Sequence, residues 1–395
     1  MTTLAIGQLL RKRREAFGAS LEEAARWCNV TPAWLKEQEA KEDLAVTDFE
    51  RICRGLAVFP AELLREESDL PTRSVARFRS ALSSYPQKAK SRSGRKAPVN
   101  SLSPSDLRLL ATAAEIGRTL AALLAMQDKD LPFDAYYNRV GLSTKKEPWK
   151  HGYELGENAR SKLIPETGPI YELESALTGI GVHVIRAEFS TPGVVIEAAS
   201  VWESNAVPII IVNPSRKGGY LMSRRASLAH ELCHLLHDGG KNDLVTMVSF
   251  KGGGSYEEDV EKRARGFSPA FLAPRIQVRE WWDMGCYSSQ DPEEAVLALA
   301  QHWGLSFEGA TWHAKNCDLI GDEVAEALRK RNKHQQPSTG QFEKESDSSS
   351  LQRCYPELVN DASEFMKGYG ARLIAEALDG SFISLARAKE LLAWR

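Results

Sequence analysis

The stretch Ser227-Leu228-Ala229-His230-Glu231-Leu232-Cys233-His234-Leu235-Leu236-His237 constrains this chain more than any other. Residues four apart on a helix share a face, about one turn apart. His230 and His234 therefore present two imidazoles to one side, the spacing at which a single Zn²⁺ is held. Glu231 follows the first of them, within reach of a water activated there. A bound zinc lowers the pKa of water from about 15.7 toward about 7, and a carboxylate takes the proton during attack on a carbonyl. The pattern points to metal-assisted amide hydrolysis. Leu228, Ala229, Leu232, Leu235 and Leu236 give the helix the apolar setting a buried metal requires.

A tetrahedral catalytic zinc takes a third protein ligand. Residues 256–267 read as a second helix that ends near Pro274, with Val260, Ala264, Phe267, Phe271 and Leu272 at helical spacing. Glu261 lies beside that stripe and is placed to point inward. Glu257, Glu258 and Asp259 suit the acidic first turn of a helix and are the alternative ligands. Cys233 reads as a small core residue. His237, a further turn along, suits a supporting or helix-ending role before Asp238-Gly239-Gly240. The group that would stabilise an oxyanion stays open among Tyr220, Tyr256, His302 and His313.

From Arg224 to Pro274 the chain resembles the ImmA/IrrE family of zinc metallo-endopeptidases, whose members pair an LAHELGH helix with a later ExxAxxFA…LxxP helix. Here the first reads Leu228-Ala229-His230-Glu231-Leu232-Cys233-His234, and the second supplies Glu261, Ala264, Phe267, Leu272 and Pro274. The resemblance implies His230, His234 and Glu261 as zinc ligands and Glu231 as general base. Cys233 stands where the family usually has Gly, and Arg265-Gly266 where it has Asn-x; neither removes a ligand. The order of elements extends the likeness over roughly Ser105 to Ile320. It further implies a protein substrate, usually a helix-turn-helix transcriptional repressor, whose cleavage derepresses stress, phage or defence genes.

Residues 1–67 read as five short helices and resemble an XRE-type helix-turn-helix domain. Ser20-Leu21-Glu22-Glu23 has the capping-box form, and Thr31-Pro32 opens the helix that in that family enters the major groove. The DNA-facing candidates are Thr31, Ala33, Trp34 and Lys36. Ten basic residues oppose twelve acidic ones in this segment, so it offers little phosphate neutralisation, and docking to a protein is the rival reading. Residues 68–104 form an expected flexible linker. Between 71 and 105 there are eight basic residues and no acidic one, a second route to weak nucleic-acid contact.

Residues 105–331 are expected to form a zincin-like domain. Helices over 107–126, 153–163 and 170–178 precede strands at 181–185, 194–198 and 208–213, whose sheet edge can align an extended peptide. The stretch 243–254, with Gly252-Gly253-Gly254, reads as a mobile loop or connector. Helices at 292–304 and 306–317 follow. Residues 332–354 are polar and expected disordered, and 355–395 give two further helices. The fold class is therefore α+β: an all-α helix-turn-helix domain, a zincin-like metallopeptidase domain with a small sheet, and a helical C-terminal region.

A net charge of −2 implies no global attraction to nucleic acid or membrane, and no run is read as long enough to span a bilayer. Six cysteines lie scattered without a C-x-x-C, which predicts reduced thiols and a cytoplasmic protein. Cys286, Cys317 and Cys354 are candidates for a thiol that blocks the zinc until displaced. Oligomeric state is not assigned. The alternative function is a DNA-binding transcriptional regulator in which the zinc domain is a sensor or structural unit.

Overall fold

A computed structural model describes residues 5–16, 20–56, 103–138, 140–143, 145–190, 196–203, 205–214, 221–238, 245–250, 256–331, 342 and 362–393. These fall into two compact units, the first holding the N-terminal helices and the second the sheet and the metal-motif helices.

Among the described residues the N-terminal domain has four helices: α1 (Ile6–Ala16), α2 (Leu21–Cys28), α3 (Pro32–Glu39) and α4 (Val46–Gly55). The expected capping box is present, with Ser20 and Glu23 each hydrogen-bonded to the other's backbone N–H. Asn29 adopts the left-handed conformation that ends α2, and the Thr31 hydroxyl accepts from Trp34 N–H to start α3. Leu10, Ala24, Ala25, Leu35 and Ile52 are fully buried between these helices. Arg14 forks onto Glu39 at 2.6 and 2.8 Å, which ties α1 to the end of α3. The fifth helix expected here, at 60–64, lies outside the described residues.

Helix α5 (Pro104–Met126) opens the next region. Contrary to the sequence reading, Arg108–Met126 is long and apolar enough to cross a membrane by length and composition. Yet 61% of its apolar window is buried within the protein, as in a core helix. Helices α6 (Pro148–Leu163) and α7 (Leu173–Gly179) lead into strands β1 (His183–Arg186), β2 (Ile196–Trp202) and β3 (Ile209–Val212). β1 runs parallel to β3 with Ile185 opposite Ile211, and β2 runs antiparallel to β3 with Ala199 opposite the same residue. All four β3 residues are buried, which explains its unbroken Ile-Ile-Ile-Val run.

Helix α8 (Leu221–His237) follows, then strand β4 (Val245–Phe250) and helix α9 (Tyr256–Leu272). The sheet order is β1-β3-β2-β4. The stretch 243–254, expected as a loop on account of its glycines, thus contains a strand. The β-favouring residues Val245, Thr246 and Phe250 outweigh the glycine run that follows. Helix α10 (Arg275–Met284) was not foreseen either. Pro274 reads as a stop, and it does end α9, but the next helix begins directly after it, with Pro274 at the N-cap position and no side-chain cap bond. Helices α11 (Pro292–Trp303) and α12 (Phe307–Asn316) match their expected spans, and α13 (Asp322–Arg331) adds a helix that had been missed.

The C-terminal helices α14 (Tyr369–Asp379) and α15 (Leu385–Leu392) pack on one another, and α14 meets β1. His183, fully buried on β1, makes that junction. Its Nε2 donates to Phe365 O at 2.7 Å, and its Nδ1 accepts from Gly370 N–H at 3.3 Å. His313 on α12 is held the same way: Nε2 donates to Ala273 O, and Nδ1 accepts from the Tyr153 hydroxyl. At His183 a second ring proton would meet the Gly370 N–H, and at His313 it would compete with Asn316, which already donates to the Tyr153 hydroxyl oxygen.

Burial pushes both imidazoles down to about 4, below the ordinary 6.5. The unfolded chain therefore protonates first as pH falls. Stability is full above about pH 6.5 and is lost toward pH 4, by up to about 3 kcal/mol per imidazole. Urea midpoints measured from pH 7 to pH 4 are expected to fall across that window, and His183→Gln is expected to flatten part of the slope. A pH-independent midpoint would contradict this.

Candidate metal centre

Helix α8 carries the site because its apolar residues sit on the side that meets the sheet. Leu228, Leu232 and Leu235 share one core cluster with Val184, Ile210 and Phe267. Arg225 anchors the first half of the helix. It is fully buried, and its guanidinium donates to the carbonyls of Ile170, Tyr171 and Gly304.

Helix α9 is set beside α8 by close backbone packing on α6. A Cβ built at Gly152 would stand 2.0 Å from Arg263 O, and one at Gly266 2.2 Å from Trp149 O. Only glycine permits that approach. It brings Glu261 toward the two histidines.

His230 Nε2 and His234 Nε2 lie 3.1 Å apart. Glu261 Oε2 is 3.2 Å from the first, and Glu261 Oε1 is 3.4 Å from the second. Bonds of about 2.0–2.1 Å to a tetrahedral zinc separate its ligand atoms by about 3.3 Å. Among the described residues, these three form the group of His, Cys, Asp or Glu side chains whose ligand atoms converge, all within 4.8 Å.

The donor chemistry fits a cation. His234 Nδ1 bonds to Asp238 Oδ2 at 2.7 Å, which fixes the proton there and leaves the Nε2 lone pair facing the cluster. Glu261 Oε1 is buried without a hydrogen-bond partner among the described residues. Burial pushes the Glu261 carboxyl up, but the neighbouring imidazoles of His230 and His234 outweigh that and hold it well below the usual carboxylate range. A shared metal ion would satisfy all three groups at once.

Residues 179–311 match the peptidase family model described as the IrrE N-terminal-like domain, and residues 5–77 match a helix-turn-helix domain model. Over those two stretches the chain is similar to an IrrE-like peptidase domain and to a helix-turn-helix domain. No curated protein and no solved structure matches it.

Within the IrrE-like domain, Glu231 is fully buried and accepts from the Ser200 hydroxyl on β2 at 2.8 Å. Sequence reasoning missed Ser200; its signal was a lone hydroxyl in the apolar run Ala198-Ala199-Ser200-Val201-Trp202. It also missed Asp238 and Arg263. The signals were an acidic residue four beyond His234 and a basic one inside the α9 stripe. Among the alternative ligands, Asp259 instead pairs with Lys262 at 3.4 Å, and the side chains of Glu257 and Glu258 lie outside the described residues.

His237 Nδ1 donates to Asn138 O at 2.9 Å, and burial pushes this imidazole down to about 4. That matches the supporting role expected of it. Of the oxyanion candidates, His313 has both nitrogens engaged in the core, and His302 stacks on Trp281. Tyr220 and the side chain of Tyr256 lie outside the described residues.

Cys233 is fully buried, and burial pushes its thiol up to about 12, so it stays protonated. Cys317 is buried beside His313, which removes it as a zinc-blocking thiol. Cys286 is exposed on a left-handed turn and does not join the convergent group, while Cys354 lies outside the described residues.

In the helix-turn-helix domain, Ala33 and Lys36 are exposed on α3, Trp34 is half-buried, and the Thr31 hydroxyl serves the helix start. Glu37 on the same face pairs with Lys41 at 2.9 Å, so acidic and basic groups alternate there.

Proposed function

We propose that this chain is a zinc-dependent endopeptidase of the cytoplasm that cuts a specific protein, a helix-turn-helix repressor, and so derepresses stress, phage or defence genes. The observation that carries the reading is the convergence of His230, His234 and Glu261 beside a buried Glu231. When bound, Zn²⁺ supplies Lewis acidity to a carbonyl oxygen and acidity to water.

The residues around it have separate roles. His230, His234 and Glu261 hold the ion. Glu231 takes the proton of the attacking water and gives it to the leaving amine. Ser200 orients that carboxylate through its 2.8 Å bond. β4, the outer strand beside β2, offers a backbone edge along which an extended peptide can lie. The helix-turn-helix domain brings the enzyme to DNA where a repressor sits, or to the repressor itself. A sensor or regulator without proteolysis has no need of Glu231 beside the ligands.

The test is a cleavage assay on the repressor-like protein encoded beside this chain's gene, read by intact mass, with and without single-stranded DNA. Two fragments from a single cut, lost on chelation and restored by zinc, are expected. An intact substrate under both conditions with zinc bound would favour the regulator reading.

A further inference from the structure

Arg263 lies two residues beyond Glu261 on α9 and is 1% exposed, so its charge must be answered inside the protein. One guanidinium nitrogen, Nη2, contacts Asp238 Oδ1, and Nη1 donates to Val140 O at 2.6 Å. The other Asp238 oxygen holds His234 Nδ1 at 2.7 Å. One carboxylate thus spans a buried guanidinium and a ligand imidazole.

The segment that receives Nη1 is itself fastened to the end of α8. Asn138 N–H donates to Leu236 O at 3.0 Å, and Val140 N–H to His237 O at 3.1 Å. Arg263 is the point at which the Glu261 helix, the His234 helix and this strap meet.

We propose that Arg263, acting through Asp238, is a positioning residue for the metal centre. This rests on the zinc reading above. Arg263 holds the Asp238 carboxylate aimed at Nδ1, and Asp238 holds the His234 ring with Nε2 toward Glu261 and His230. The same fork keeps α8 and α9 in the register at which the three ligand atoms converge. Without the guanidinium, Asp238 would be a buried carboxylate with no cation, and its hold on the ring would slacken.

The test is zinc affinity by competition with a chromophoric chelator, together with the visible spectrum of the cobalt-substituted protein. The variants are Asp238→Ala, Asp238→Asn, Arg263→Met and the double Asp238→Ala/Arg263→Met. Circular dichroism and thermal unfolding in chelator control for the fold. Asp238→Ala and Arg263→Met are each expected to weaken zinc binding about 10- to 100-fold and to alter the cobalt spectrum.

Because Arg263 acts through Asp238, the double variant is expected to bind no more weakly than Asp238→Ala alone. Wild-type affinity and spectrum in Arg263→Met, or losses that add in the double variant, would overturn the proposal. If Arg263→Met fails to fold, Asp238→Asn decides, since it keeps shape and an acceptor but loses the charge: wild-type affinity there overturns the proposal. A wild-type protein that takes up no zinc would overturn the metal reading itself.

Discussion

Glu231→Gln is expected to bind zinc as tightly as the wild type and to cut its substrate about 10²- to 10⁴-fold more slowly. The carboxylate is fully buried, with the Ser200 hydroxyl on Oε2. Glutamine keeps the volume and an oxygen that accepts from Ser200, so α8 and its two histidines stay in place. What the amide lacks is a basic oxygen to take a proton from water at neutral pH. Comparing kcat/KM by intact mass, with zinc content measured on the same samples, separates chemistry from metal loss. A variant within tenfold of the wild type would mean that another group takes the proton.

Gly152→Ala is expected to destabilise the protein by about 3 kcal/mol and to weaken zinc binding in the same samples. Helix propensity alone predicts the opposite sign, a gain of about 1 kcal/mol for replacing a mid-helix glycine. The contact decides. The new methyl would lie 2.0 Å from Arg263 O and 2.9 Å from Phe267 N, both backbone atoms that cannot swing aside. Helix α9 must shift, and it carries Glu261 and Arg263. Urea unfolding in chelator gives the stability, and chelator competition gives the affinity. A variant more stable than the wild type, with unchanged affinity, would show that α6 leaves room there.

What could be read from the sequence follows from where the information is local. The two histidines four apart and the apolar stripe of Val260, Ala264 and Phe267 are periodic, so they announce α8 and α9 and the face each buries. The caps at Ser20 and Thr31 announce α2 and α3 through short-range hydrogen bonds. Groups brought together across the fold were not legible. Ser200 reaches Glu231 from a strand 31 residues away, and Arg263 reaches Asp238 across two helices. Nor does Gly152 advertise the backbone it meets, because a glycine in a helix looks only like a weak helix former. The strand β4 was hidden by neighbouring glycines, and α10 by a proline that stands between two helices.

The most direct measurement is zinc-edge X-ray absorption on the purified wild-type protein. Two imidazole nitrogens and carboxylate oxygen at about 2.0–2.1 Å are expected, with no sulfur scatterer at about 2.3 Å, and His234→Ala should lose the ion. A shell with sulfur, which would bring a cysteine such as Cys233 onto the metal, or a protein that takes up no zinc at all, would contradict the His230, His234 and Glu261 centre.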